Sequence, residues 1–464
     1  MTEYLLPKRA WASGSVRPEK LLKRQSLQIG LVERETTELA EGDYLILDFG
    51  LELCGGLRLL VFSADSVCVR IRFGESYGEC ESELGGERNA TNDHSPRDFT
   101  VNLQSYSDVT VGQTGFRFVR LDFQGAVRLK SALAVNQILR LPTRYSYAGD
   151  DCRIREIFNA AKRTVDLCAS GDYIWDGIKR DRLVWIGDMA PEVIALATLY
   201  GRLPVIERSI EFVREQTPLP GWMNTMPMYS LWWIIVVSEY LERTGAREFT
   251  ERQMPYLVAL LWQVEGCIKE SGELDFPSYF VDWPTHGQKD ELAGCRAICI
   301  IAMRRAISLL GTFGLDTALA EELLARLLRI GIRAETSKQV LGLKYFATGL
   351  DEQDRARLTD GGARGMSTFM SYYVLKAVAS FDRERAIEMM RDYYGAMLDV
   401  GATTFWEDFD VEWTKGSSRI DEPPREGEKD LHGDHGAFCY KGFRHSLCHG
   451  WSAGVIGFMK EENV

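Results

Sequence analysis

The chain has no apolar run near the roughly 18 residues that a bilayer-spanning helix needs. Its longest, Leu231 to Val237, stops at Ser238-Glu239 and reads as a buried helix, so no membrane partner is expected. Long basic runs are also missing. Lys and Arg total 55 against 67 Asp and Glu, a net charge of −12 that repels phosphate backbones and argues against a nucleic-acid partner. The ten cysteines, scattered from Cys54 to Cys448, form no CxxC pair. They read as reduced, buried thiols, and together with a first segment that lacks a basic-then-apolar leader they point to a cytosolic setting. There is no GxSxG elbow, HExxH, Walker A motif, or GxGxxG after a strand, and only six histidines. His432, Asp434 and His435 have metal-ligand character, but they sit in a loop without a matching helix pair, so no metal or other cofactor is expected. Paired acids are the chemistry that remains.

What is present divides into two halves. Apolar residues make up 45% and charged residues 26% of the 464, enough for two globular cores. From about residue 42 to 140 the pattern is that of strands. Residues 44–49, 57–62, 67–73 and 116–123 are short and rich in β-branched and aromatic side chains, and the last two alternate with period two. Glycine-rich breaks lie between them, which predicts an antiparallel β-sandwich with residues 1–41 as an arm packed against it. After about residue 150 the period becomes helical: Ile154, Phe158, Ala161, Val165 and Cys168 share one face. Nine further helices are predicted near 190–201, 204–216, 230–244, 252–270, 290–310, 317–331, 367–380, 384–399 and 444–460. A ring of six helical hairpins fits that length. The expected domains are therefore 1–145 and 146–464.

Ten of the 11 tryptophans lie in the helical half, several beside carboxylates in loops. Flat indole faces stack on the C–H faces of sugar rings, while carboxylates take up the hydroxyls. One cluster holds Trp175, Asp176, Lys179, Arg180, Asp181, Arg182, Trp185 and Asp188. An acid between Arg180 and Arg182 also suits a structural ion-pair knot, and Asp188 suits an ordinary helix N-cap with Pro191 in the first turn. A second cluster is Gly401-Ala402-Thr403-Thr404-Phe405-Trp406-Glu407-Asp408, where a helix stops at a glycine and the chain runs extended into an aromatic–acid pair. Residues 408–443 follow as a long loop. Asp282-Trp283 and His449-Gly450-Trp451 are two further sets.

Taken together, these segments resemble the family-78 glycoside hydrolases, the α-L-rhamnosidases. The signature residues are Asp176, Arg180-Asp181, Trp185-Ile186-Gly187-Asp188, the string from Gly401 to Glu407, Phe280 to Trp283, and His449 to Ser452. Leu47 to Gly50, Gly74-Glu75, Asn92-Asp93 and Gly115 to Val119 are similar to the family's preceding β-sandwich. The resemblance implies a multidomain β + α fold, with an N-terminal β-sandwich followed by an (α/α)6 catalytic barrel. It implies an inverting glycosidase acting on a carbohydrate substrate, with terminal rhamnose as the sugar released. By the resemblance, Asp181 is the general acid and must hold a proton, Glu407 is the general base, and Asp176, Arg180, Asp188, Asp282 and His449 bind hydroxyls. Trp185, Trp283, Trp406 and Trp451 form the walls. The family more often has Glu after the arginine, which leaves Asp188 and Glu192 as alternative acids. The chain ends soon after Trp451, so the family's C-terminal β-sandwich and extra carbohydrate-binding modules are expected to be missing. A six-hairpin glycosidase for another sugar, and a non-catalytic sugar-binding relative, are the rival readings.

Overall fold

The computed structural model describes residues 2–464. Eight strands join in one antiparallel sheet: β1 (Thr2–Leu5), β2 (Arg9–Ala12), β3 (Thr37–Leu39), β4 (Tyr44–Ala64), β5 (Val67–Gly74), β6 (Asp98–Leu103), β7 (Ser107–Phe123) and β8 (Val127–Gln137). They pair in the order β1-β8-β4-β7-β5-β6, with β2 also on β4 and β3 also on β8. The alternation read in residues 67–73 is real: Val67, Val69 and Ile71 are buried and Cys68 and Arg70 only half so. The first 41 residues do more than pack against the sheet, since β1, β2 and β3 all come from them.

Residues 44–49 and 57–62 are not two strands but parts of one 21-residue strand. The glycines that look like a break are used for close backbone approach instead. A side chain at Gly56 would run into the carbonyls of Val111 and Gly112 on β7. Register shifts between Asp48 and Leu53, and between Gly55 and Leu57, absorb the irregularity as bulges.

Beyond Cys152 the described residues form thirteen α-helices. Helix Met189–Tyr200 packs on Pro227–Thr244, then Glu291–Thr312, Lys338–Thr348 and Ser371–Ala379 follow in turn. Ser371–Ala379 contacts the closing segment Gly450–Gly454 and Val455–Glu461, which returns to Met189–Tyr200 and closes the ring. Helices such as Met189–Tyr200 and Pro227–Thr244 are buried nearly all round, as their uniformly apolar sequences require. Trp232 and Trp233 are fully buried in this core. Lys338–Thr348 and Glu352–Thr359 went unpredicted. The first carries a mid-helix glycine that lowers its intrinsic propensity, yet Gly342 is what lets the helix approach the backbone of Tyr373 and Val374.

The two halves are held together by charge. Asp48 of β4, 0% exposed, accepts hydrogen bonds from Arg9 (2.8 Å) and Arg117 (2.8 Å). Arg117 also donates to the carbonyl of Gly401 (2.9 Å) and to Asp421 (3.3 Å), both in the helical half. Asp48→Ala leaves a buried guanidinium short of its main counter-charge. It should cost about 3–5 kcal/mol of stability, read as a lowered midpoint in denaturant unfolding.

Candidate functional site

The loop between helices Cys152–Cys168 and Met189–Tyr200 carries the first acid cluster. It closes on itself through Asp176, whose N–H donates to the Leu183 carbonyl (3.1 Å) and whose carboxylate accepts from the Leu183 N–H (2.9 Å). Within that closed loop Asp181 (φ 55°) and Arg182 (φ 54°) are left-handed, a conformation non-glycine residues adopt only when their surroundings enforce it. Asp188 stands at the N-cap position, but its carboxylate caps no helix N–H and instead accepts from the Tyr229 hydroxyl at 2.7 Å.

The second cluster is laid beside the first by residues 445–449. Glu407 N–H donates to the Ser446 carbonyl (2.9 Å), His449 N–H to the Phe405 carbonyl (2.9 Å), and Asp408 N–H to His445 Nε2 (2.9 Å). The two threonines have separate tasks. Thr403 accepts from the Glu52 N–H of β4 (2.8 Å), while Thr404 donates to the Leu447 carbonyl (2.7 Å). Thus Glu407 stands on a short extended segment fixed from both sides.

Arg180 joins the clusters. One arm of its buried guanidinium donates to Glu407 Oε1 and the other to Asp181 (3.1 and 3.2 Å). Glu407 also accepts from the Ser446 N–H (3.1 Å). Burial raises the Glu407 carboxyl above its ordinary range, with Arg180 and the Ser446 N–H opposing. His449 Nε2 lies 3.7 Å from Asp176 and 3.9 Å from Asp188, while its Nδ1 has no protein partner. Burial holds this imidazole well below its usual range and therefore neutral. Burial also lifts Asp176 well above the carboxylate range, with Asp181 and Asp188 adding to it, and pushes Asp188 up to about 8. Glu192 lies under the same group, fully buried, with neither carboxyl oxygen bonded to protein, and burial raises it strongly. Asp181 is the most open of these acids, its side chain 19% exposed.

Asp282 is buried, accepting from Ser367 Oγ (2.7 Å) and the Thr285 N–H (3.1 Å). Thr368, one residue beyond Ser367, donates to the Glu407 carbonyl (2.6 Å), which ties Asp282 to the Glu407 segment. Trp185 and Trp283 are half-buried, Trp185 edge-on to Tyr229 and Trp283 stacked on the exposed Phe438. Trp406 (1% exposed) and Trp451 (5%) are packed away instead. Trp406 meets Phe409 and His445 edge-on, and Trp451 lies flat on Phe369 with its indole N–H donating to the Glu407 carbonyl (2.9 Å).

Two groups of donors are close enough to share a cation: Asp176, Asp188 and His449, and Glu75, Glu79 and His432. In the second, Lys179 Nζ already lies 3.0 Å from Glu75 and 3.2 Å from Glu79 and supplies the positive charge. His432, Asp434 and His435 do not converge: they turn to Ser76, Arg88 and Ser417 respectively. Lys179 and Asp408 stand inside the two sequence clusters but were given no role, and burial raises the Asp408 carboxyl to about 7. Sequence reasoning missed Tyr229, His94 and Ser446, which carry no local signal.

The fold is of the family-78 α-L-rhamnosidase kind. A rhamnosidase from Klebsiella oxytoca with rhamnose bound matches at a TM-score of 0.73 and 20% identity, over 92% of this chain and 89% of that one. The family-78 rhamnosidase of a Bacillus species matches at 0.72 and 18%, over 97% of this chain and 49% of that one. The α-L-rhamnosidase of Streptomyces avermitilis, complexed with L-rhamnose, matches at 0.60 and 15%, over 91% and 43%. The chain thus spans about half the length of the latter two. No protein-family model matches the sequence, and no curated protein does.

The strained titration of Glu192 has a stability signature. Its folded-state pKa lies well above the unfolded value, so above pH 4.5 the unfolded chain has lost a proton that the folded chain keeps. Stability must then fall as pH rises, by at most about 1.4 kcal/mol per unit for one group, until the folded pKa is reached. Glu192→Gln removes this loss. Its stability relative to the wild type should grow between pH 5 and pH 9 in denaturant titrations, and a constant difference would refute the assignment.

Proposed function

We propose that the chain is an inverting glycoside hydrolase that releases terminal α-L-rhamnose from oligosaccharides or glycosides. In this reading a β-sandwich spans residues 1–145 and an (α/α)6 six-hairpin barrel spans 146–464, the closed six-membered helical ring being its inner wall. The observation that carries the reading is Arg180, whose one guanidinium holds Asp181 and Glu407 on separate arms. An inverting pair needs carboxyls about 6.5–9.5 Å apart, with room for a water, and that separation is what the reading requires of Asp181 and Glu407. The two neighbours of this fold solved with rhamnose support the choice of sugar.

Glu407 acts as the base. Burial against Arg180 strengthens it relative to an exposed glutamate while the cation keeps a negative form in place. It takes a proton from the water that attacks the anomeric carbon, and Asp181 gives its proton to the departing glycosidic oxygen. Asp176, Asp188 and neutral His449 form a buried polar floor suited to sugar hydroxyls, with Asp282 and Arg180 beside it. Trp185 and Trp283 offer faces for the ring, and Trp406 and Trp451 shape the wall from behind. A second reading gives the acid's role to Asp188, because burial lifts it to about 8 and keeps it protonated at neutral pH.

A panel of nitrophenyl glycosides tests the sugar: turnover of the α-L-rhamnoside is expected, and turnover of another sugar alone overturns it. Glu407→Gln and Asp181→Asn should each lower kcat by about 10²–10⁴-fold, far more than they change KM. Full turnover in Asp181→Asn with loss in Asp188→Asn moves the acid to Asp188. NMR of the first-formed sugar should show the anomer opposite to that of the substrate.

A further inference from the structure

His94 comes from the sheet half, in the loop before β6, yet it touches the loop of Asp181. Its Nδ1 accepts the Asp181 N–H at 2.8 Å and lies 3.1 Å from Asp181 Oδ1. The loop around it is tightly built. Asn92 Oδ1 accepts from the N–H groups of Arg97 and Asp98 (both 3.0 Å), and its side-chain amide donates to the Asp98 carbonyl (2.9 Å). Asp93 pairs with Arg444 (3.1 Å). Ser95 Oγ donates to the Gln113 carbonyl (2.6 Å), and Arg182 donates to the same carbonyl from the other side (3.0 Å). His94 is itself left-handed (φ 62°), so three of the residues at this junction, His94, Asp181 and Arg182, hold backbone conformations that need support.

The contact has a chemical consequence. A ring nitrogen that accepts an amide hydrogen carries none of its own. Its single lone pair is taken by that amide hydrogen, so the imidazole fixes Asp181 by its backbone N–H, with the carboxyl oxygen Oδ1 3.1 Å away. The charged groups facing this junction are Arg180 on the Asp181 carboxyl and Asp93 with Arg444 on the imidazole's own loop.

We infer that His94 is a positioning residue for the proposed acid: by accepting the backbone N–H of Asp181 it holds that residue in its left-handed conformation and so aims its carboxyl. The inference rests on the glycosidase reading and adds to it a role for the sheet half in the acid step.

The test compares a phenyl α-L-rhamnoside, whose leaving group needs a proton, with α-L-rhamnosyl fluoride, whose leaving group does not. His94→Ala should lose about 10²-fold in kcat on the phenyl glycoside, with KM changed little, and keep most of its activity on the fluoride. His94→Asn tolerates positive φ and presents an acceptor near the Nδ1 position. It should therefore recover part of the loss. Equal losses on both substrates, or no loss on the phenyl glycoside, overturn the role. If the wild type hydrolyses neither compound, the glycosidase reading fails by itself, and the crystal structure of His94→Ala still decides the positioning claim. Asp181 and Arg182 leaving the left-handed conformation supports it, and an unmoved loop overturns it.

Discussion

A guanidinium buried between two carboxylates is stable only if neither carboxylate leaves, because removing one strands charge in a place water does not reach. Arg180 is in that position. Its two acids come from segments 227 residues apart in the case of Glu407 and from the next residue in the case of Asp181. The loop after helix Cys152–Cys168 and the extended segment at residues 401–408 are therefore not independent. Everything that fixes either one fixes the other: the Asp176–Leu183 closure, the Ser446 backbone pairing with Glu407, and the Thr368 bond to the Glu407 carbonyl.

The sheet half belongs to this arrangement rather than standing beside it. Glu75, at the end of β5, accepts from the Leu447 N–H (2.6 Å) and from Ser446 Oγ (3.3 Å), and Ser446 is the residue whose backbone holds Glu407. Lys179, next to Arg180, donates to the carbonyls of Phe443 (2.9 Å) and His445 (2.6 Å) and balances Glu75 and Glu79. Burial and the nearby Glu79 leave the Glu75 carboxyl at about 7, although Lys179 pulls it down. The sheet thus supplies a carboxylate beneath the Glu407 segment and an imidazole against the Asp181 loop, and the helical ring alone would leave both segments underdetermined.

Local chemistry in the sequence was enough to read the division into strands and helices, and to place acids and tryptophans in two loops that the fold brings onto one arginine. Periodicity is a local property, and the Asp176–Asp188 and 401–408 clusters are dense enough in unusual residues to stand out. What stayed hidden was tertiary. Gly55-Gly56 reads as a turn until the carbonyls of β7 and β8 are seen to need the space. Helix Lys338–Thr348 is held by its neighbours against its own weak propensity. Trp406 and Trp451 look like loop tryptophans because the chain around them is irregular, but irregular chain can be buried when its backbone groups are paired, as they are here. His94 and Ser446 carry no pattern at all, since each matters only through a partner far along the chain.

The concentration of buried acids is the feature that a merely stable protein would not keep. Asp176, Asp188, Glu192 and Asp282 are all inside, and burial raises each of them. Unpaired buried polar groups cost stability, and both Glu192 oxygens, His449 Nδ1 and Trp185 Nε1 lack protein partners. Five non-glycine left-handed residues, His94, Asp181, Arg182, Asn224 and Thr225, gather around the same loop, with Asn224 bonded to Val184 and Ile186. Strain, unmet hydrogen-bonding capacity and raised carboxyls would each be unremarkable alone; structural ion-pair networks produce the last of them often. Their coincidence at one loop, at the junction of the two halves, is more than a packing fault produces. In the glycosidase reading proposed above, a hydroxyl-rich ligand would meet groups already held in place by the rest of the fold.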